Sequence, residues 1–244
     1  MCEFKKSITY AVCGKEYNNQ RYMLEQIKAQ ESETVNHTFS HYVFKSYRNN
    51  KANIFLTQDM LACSNLNTKG YVGPASFWSP SMYSVLEENG YRYTSSFGLD
   101  HDTIPYFPSL PDGKVYDLVE LPFHCLGDRF PRFDLGLDCP IVHQFFDDLI
   151  EKKYSAGEPI NLYGHPDMPG RMGDYPELVK RICTKALSHS DVWTGNMGEL
   201  AKWWRMRHSA SCTPIFDAER GVVRAPDLVG SKDVYWSIHT PDGR

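Results

Sequence analysis

Two histidines four residues apart, in Asn36-His37-Thr38-Phe39-Ser40-His41, are the first residues of this 244-residue chain whose types and spacing suit chemistry. On a helix such a pair shares one face, about 6 Å apart along the axis, near enough for both imidazoles to reach one metal ion. A solvated helix face has the same spacing. What favours metal is placement: Glu33-Thr34-Val35 leads in as a short strand, setting the pair at a strand's carboxyl end. His165 is a second candidate, because Asn161-Leu162-Tyr163-Gly164-His165-Pro166 is an apolar strand end followed by a permissive glycine. A histidine held there suits general acid chemistry near neutral pH, with a hydrogen-bonded structural role as the alternative. Gly70-Tyr71-Val72-Gly73-Pro74-Ala75-Ser76 is a strand entering a Gly-Pro turn. Tyr91 to Phe97 leads to a loop in which Asp100 and Asp102 flank His101, where metal ligation is chemically open and solvated carboxylates are commoner.

The elements that must position these groups alternate. Ile8 to Cys13, Tyr71 to Pro74, Tyr91 to Phe97, Val115 to Phe123 and Ile160 to Tyr163 are short apolar runs of the kind that form buried strands. Between them, Tyr17 to Glu31, Pro80 to Asn89, Pro140 to Tyr154 and Tyr175 to Ser188 have helical spacing. Asp147-Asp148 falls on the wet face of the third helix and is structural. Strands covered on both sides by helices predict a parallel sheet, either doubly wound or closed as an α/β barrel. In both, the site lies at the carboxyl ends of the strands, where the candidate residues fall. After about Arg205 the pattern changes to short apolar stretches punctuated by Pro214, Pro226 and Gly230, with Val234 to Ile238 expected as a strand.

Composition narrows the function classes. A hydrophobic fraction of 41% and an aromatic fraction of 14% suit a globular domain with a sizeable core. The net charge of -4 and the lack of a Lys/Arg block argue against nucleic acid or an anionic membrane as partner. No apolar run is long enough to span a bilayer. The seven cysteines are scattered with no C-x-x-C pair, which favours a reducing, cytoplasmic compartment.

Taken in order, these segments resemble the polysaccharide deacetylases, the NodB-type carbohydrate esterases that remove acetyl groups from sugars with a divalent metal, usually zinc. His37, Thr38 and His41 match that family's H-[ST]-x-x-H pair, and Tyr71-Val72-Gly73-Pro74 falls at its proline motif. Leu86 to Phe97 resembles its helix ending in a glycine-tyrosine step. Leu162 and His165 match its leucine strand and catalytic histidine. Asp191 to Arg205 resembles the closing strand and helix.

The resemblance implies a distorted (β/α)₇ barrel over residues 1–207, with 208–244 as a C-terminal extension that begins a β-rich appendage. It implies His37 and His41 as metal ligands and His165 as catalytic acid. Tyr71, whose ring suits stacking on a sugar face, Pro74, Asp100 and Asp102 are expected as substrate-binding positions, although the family uses the loop of Asp100 and Asp102 differently. The expected partner is an acetylated carbohydrate or polysaccharide. Two departures accompany it. The family's first strand ends in paired aspartates, one the general base and one a metal ligand, and here only Met1 to Ser7 precede what resembles the second strand. The arginine of the proline motif is replaced by Val72. The barrel is therefore expected to lack its first strand, to expose sheet edges that favour self-association, and to be a poor enzyme. The alternative is a non-catalytic glycan-binding or structural relative.

Overall fold

The computed structural model describes residues 8–16, 21–99, 104–125, 127, 136, 139–166, 171–209, 215–217, 220 and 222–224. Two compact units divide the chain, Met1–Ala201 and Lys202–Arg244.

The first unit is α/β. Strand β1 (Thr9–Val12) precedes α1 (Arg21–Ala29), β2 (Glu33–Asn36), α2 (Tyr47–Cys63), β3 (Gly70–Val72), α3 (Pro80–Glu88) and β4 (Tyr93–Ser95). Then come β5 (Gly98–Leu99), β6 (Val119–Glu120), β7 (Phe123–His124), α4 (Cys139–Ala156), α5 (Pro176–Ala186) and the start of α6 (Met197–Ser209). Strands β1, β2, β3, β4 and β6 form a five-stranded sheet in that order, every pairing parallel, as the helix-strand alternation predicts. β5 and β7 form a separate parallel pair. In the second unit α6 continues, and β8 (Ile215–Asp217) pairs antiparallel with β9 (Val222–Arg224).

One transverse row of the sheet runs Val12, Asn36, Tyr71, Thr94, Glu120. Side chains in register across a sheet project from one face. Here that face meets α2 and α3, where Tyr71 packs in a cluster with Ile54, Met82, Val85 and Leu86. On the opposite face Gly70 lies so close to the Tyr93 ring that a Cβ there would sit 2.1 Å from it, and the Tyr93 hydroxyl is hydrogen-bonded to Glu33. Glu33 also accepts hydrogen bonds from Thr9 Oγ1 at 2.6 Å and from the Gly198 N–H at 3.1 Å. The first turn of α6 is thereby tied to the entry of the sheet. Asn196 and Glu199 add a reciprocal capping box, each side chain accepting the other's backbone N–H at 2.9 Å.

Several elements depart from the sequence expectation. The run Val115 to Phe123 is two short strands, since Pro122 has no N–H to donate to a ladder. Residues 160–163 form no strand, although Asn161 O accepts the His124 N–H at 2.9 Å. The 17-residue α2, the central helix for the candidate site, has no signature in apolar periodicity. Its buried positions, Asn50, Asn53, Ile54, Thr57 and Leu61, have helical spacing, but three of them are polar, while Leu56 faces outward. The segments 17–20 and 234–238 lie outside the described residues. Among the described residues no helix is long and apolar enough to cross a membrane.

Candidate functional site

The loop from β2 to α2 carries the histidine pair. The pair is not on a helix. Thr38 and His41 have φ of 63° and 54°, left-handed backbone that non-glycine residues adopt only when their surroundings compel it. The compulsion is visible: the Thr38 N–H donates to Asn36 Oδ1 at 2.8 Å, and the Tyr42 N–H to Thr38 Oγ1 at 3.2 Å. Asn53 on α2 accepts from the Phe39 and Ser40 N–H groups, at 3.0 and 2.9 Å. The Gly14 and Lys15 N–H groups, just after β1, donate to the carbonyls of Thr38 and Phe39 at 2.9 and 3.0 Å. The left-handed turns fold the loop back, so the rings of His37 and His41 meet edge-on with centroids 4.9 Å apart and planes at 67°. Two imidazoles sharing a tetrahedral zinc at ordinary Zn–N lengths have centroids about 5 Å apart.

His37 is the more constrained of the two. Its Nδ1 lies 2.8 Å from the Val72 carbonyl oxygen, which can only accept, so Nδ1 carries the proton and Nε2 presents the lone pair. A backbone carbonyl of this kind orients and tautomerises a ligating histidine. Burial holds the His37 pKa down to about 4, with the charges of His41 and His165 adding to the effect against the opposing Val72 hydrogen bond. His41 is also lowered, by burial first, then by Lys15 and His165. Both rings are thus kept in the neutral form that a metal requires.

His165 lies far along the chain, and its charge adds, as the smallest cause, to the lowering of both other imidazoles. Its segment is anchored through Tyr163, whose ring packs edge-on against Phe123 of β7 at 4.9 Å and lies 5.9 Å from the His165 ring. Adjacent Gly164 lies against Met172, leaving no room for a side chain.

The other sequence candidates divide. Tyr71 is fully buried, its ring in the core under α2 and α3, and its hydroxyl finds no partner among the described residues. It is a core residue and offers no surface to a substrate. Pro74 is buried at the start of the short turn after β3. Asp100 and Asp102 lie outside the described residues. Among the described residues no group of three His, Cys, Asp or Glu side chains is placed to hold an ion. The two imidazoles fit a metal in protonation and separation, and His37 also in tautomer; a third protein ligand is not supplied by them.

Three contributors escaped the sequence analysis: the Val72 carbonyl, Asn53 and Glu120. Val72 was seen only as a lost arginine, yet its backbone does the orienting. Glu120 is 0% exposed, at the end of the sheet's transverse row, and accepts the Ser96 and Phe97 N–H groups at 2.6 and 3.3 Å and the Tyr83 hydroxyl at 3.3 Å. It pins the turn by which the chain leaves β4. Burial raises its pKa to about 7 against the lowering effect of these hydrogen bonds.

Glu120 and His37 therefore act oppositely on stability. The fold binds the Glu120 proton more tightly than the unfolded chain does, so that contribution is complete below 4.5 and lost as pH rises to about 7. The fold rejects the His37 proton, so its contribution is complete above 6.5 and lost as pH falls to about 4. Glu120→Gln removes the first dependence alone. Its stability relative to the parent is expected to rise by up to about 3 kcal/mol between the two ends of the Glu120 window, measured by urea unfolding. A pH-independent difference would show that Glu120 does not titrate there.

No protein-family model matches the chain, and no curated protein matches it. Solved structures do. A Mycobacterium smegmatis protein described as a polysaccharide deacetylase is 20% identical over 84% of this chain and 74% of its own, with a TM-score of 0.68. PuuE allantoinase is 15% identical over 84% and 69%, at 0.66. A pseudoenzyme of the CE4 family from Bacillus anthracis is 16% identical over 79% and 54%, at 0.52. At these identities the likeness defines the fold, which is that of the polysaccharide deacetylases.

Proposed function

We propose that this chain is a metal-dependent deacetylase of acetylated carbohydrate, with His37 and His41 as ligands of a divalent ion, zinc in the usual case, and His165 as general acid. The observation that carries the reading is the side-by-side placement of two imidazoles, one of them locked in the ligating tautomer by Val72. A bound ion supplies Lewis acidity that polarises an acetyl carbonyl and an attacking water. His37 keeps its proton on Nδ1 and offers Nε2, and His41 completes the pair. His165, on a separate segment, delivers a proton to the departing amine or alcohol. Among the described residues two imidazoles are fewer than the usual three protein ligands of catalytic zinc. Affinity for the ion is accordingly weak and turnover slow.

That same incompleteness favours a second reading, a carbohydrate-binding relative without catalysis, and a pseudoenzyme among the similar structures accords with it. The two separate in an assay of acetate release from an acetylated oligosaccharide with added zinc. The catalytic reading expects slow, zinc-dependent release that drops about 10²- to 10⁴-fold in His165→Ala. Saturable oligosaccharide binding with no zinc-dependent release, in parent and variant alike, would establish the second.

A further inference from the structure

We infer that Asn53 is a positioning residue for the histidine pair, setting the separation and mutual orientation of His37 and His41 from the neighbouring helix; the inference rests on their reading as ligands. Among the described residues every hydrogen bond of its side chain goes to the segment between the two rings or the residue just after it. Oδ1 accepts from the Phe39 N–H at 3.0 Å, the Ser40 N–H at 2.9 Å and the Ser40 hydroxyl at 3.1 Å. Nδ2 donates to the Tyr42 carbonyl at 2.7 Å, directly after His41. The Asn53 backbone carbonyl takes a further share of the Phe39 N–H at 3.1 Å. One buried residue thus grips the loop on both sides of its left-handed His41. Asn50, one turn earlier, takes both backbone groups of Phe44, at 2.7 Å each, and fixes where the loop ends.

A helix that packs on a sheet ordinarily buries apolar groups, and burying an amide is favourable only when its hydrogen bonds are met. Here they are met by one short loop. The loop's strained backbone has no glycine to relax it, since Thr38 and His41 are the left-handed residues. The grip therefore substitutes for intrinsic preference, and its consequence is the edge-on meeting of the rings. Outer residues that orient metal ligands typically change affinity by about 10- to 100-fold.

The test compares the parent chain with Asn53→Leu, which removes all four bonds at similar size, and Asn53→Asp, which keeps the acceptor and turns the Tyr42 donor into a repelling oxygen. Circular dichroism melts establish folding. Nuclear Overhauser contacts between the His37 and His41 ring protons report positioning without any ion, and calorimetric titration with zinc reports its consequence. Folded variants are expected to lose or weaken the ring contacts and to bind zinc at least about tenfold more weakly. A folded variant of either kind with parental ring contacts and affinity overturns the proposal, as does failure of both to fold, which would make Asn53 a stability residue only. If the parent shows the ring contacts yet binds no zinc, the metal reading falls, and loss of the contacts in the variants still upholds the positioning role.

Discussion

Replacing His37 by alanine is expected to weaken zinc binding by at least about 100-fold. Partners that merely orient a ligand are worth about 10- to 100-fold, and removing a ligand from a set of two must cost more than that. His37 is also the ring whose protonation the fold resists and whose tautomer the Val72 carbonyl selects, so its loss removes the prepared half of the pair. His41→Ala should follow with a smaller effect, because its ring has no equivalent anchor among the hydrogen bonds described. Calorimetric titration of both variants checks the ranking, and equal affinity of His37→Ala and the parent would place the ion elsewhere.

The largest stability effect is expected at Glu120, where alanine should destabilise the fold by about 3–5 kcal/mol. Its removal strands the buried Ser96 N–H and the half-buried Phe97 N–H, and each stranded donor costs about 1–3 kcal/mol. Against a typical total of about 5–15 kcal/mol that is a large fraction. Glu120→Gln retains an acceptor oxygen and gains no charge, so it should hold or exceed parental stability near pH 7. The melting temperatures of the two variants make the contrast. Equal losses in both would show that side-chain volume, and not the hydrogen-bonded turn, is what matters at this position.

The parallel sheet was legible because its strands are short apolar runs separated by helical spacing, and α3 and α4 emerged within two residues of their expected ends. The four-residue spacing of the histidines was also informative, but for a different geometry from the one it suggested. A helix would have stacked the rings; the loop achieves proximity by two left-handed residues, which neither threonine nor histidine advertises. α2 escaped because three of its five buried positions are amide or hydroxyl, two of them asparagines that bond the loop before it. Glu120 escaped for the converse reason: one acid within Leu118-Val119-Glu120-Leu121 interrupts an apolar run without revealing which backbone groups it satisfies. Tyr71 was misplaced as a substrate contact because an aromatic in a strand fits a core as well as it fits a sugar.

The central claim, that His37 and His41 hold one ion together, is tested most directly by X-ray absorption at the zinc edge on the zinc-loaded chain. Two imidazole ligands at about 2.0–2.1 Å are expected, the remaining positions filled by oxygen, and one imidazole fewer in His41→Ala. A sulfur-ligated zinc, or an imidazole count unchanged by His41→Ala, would contradict it.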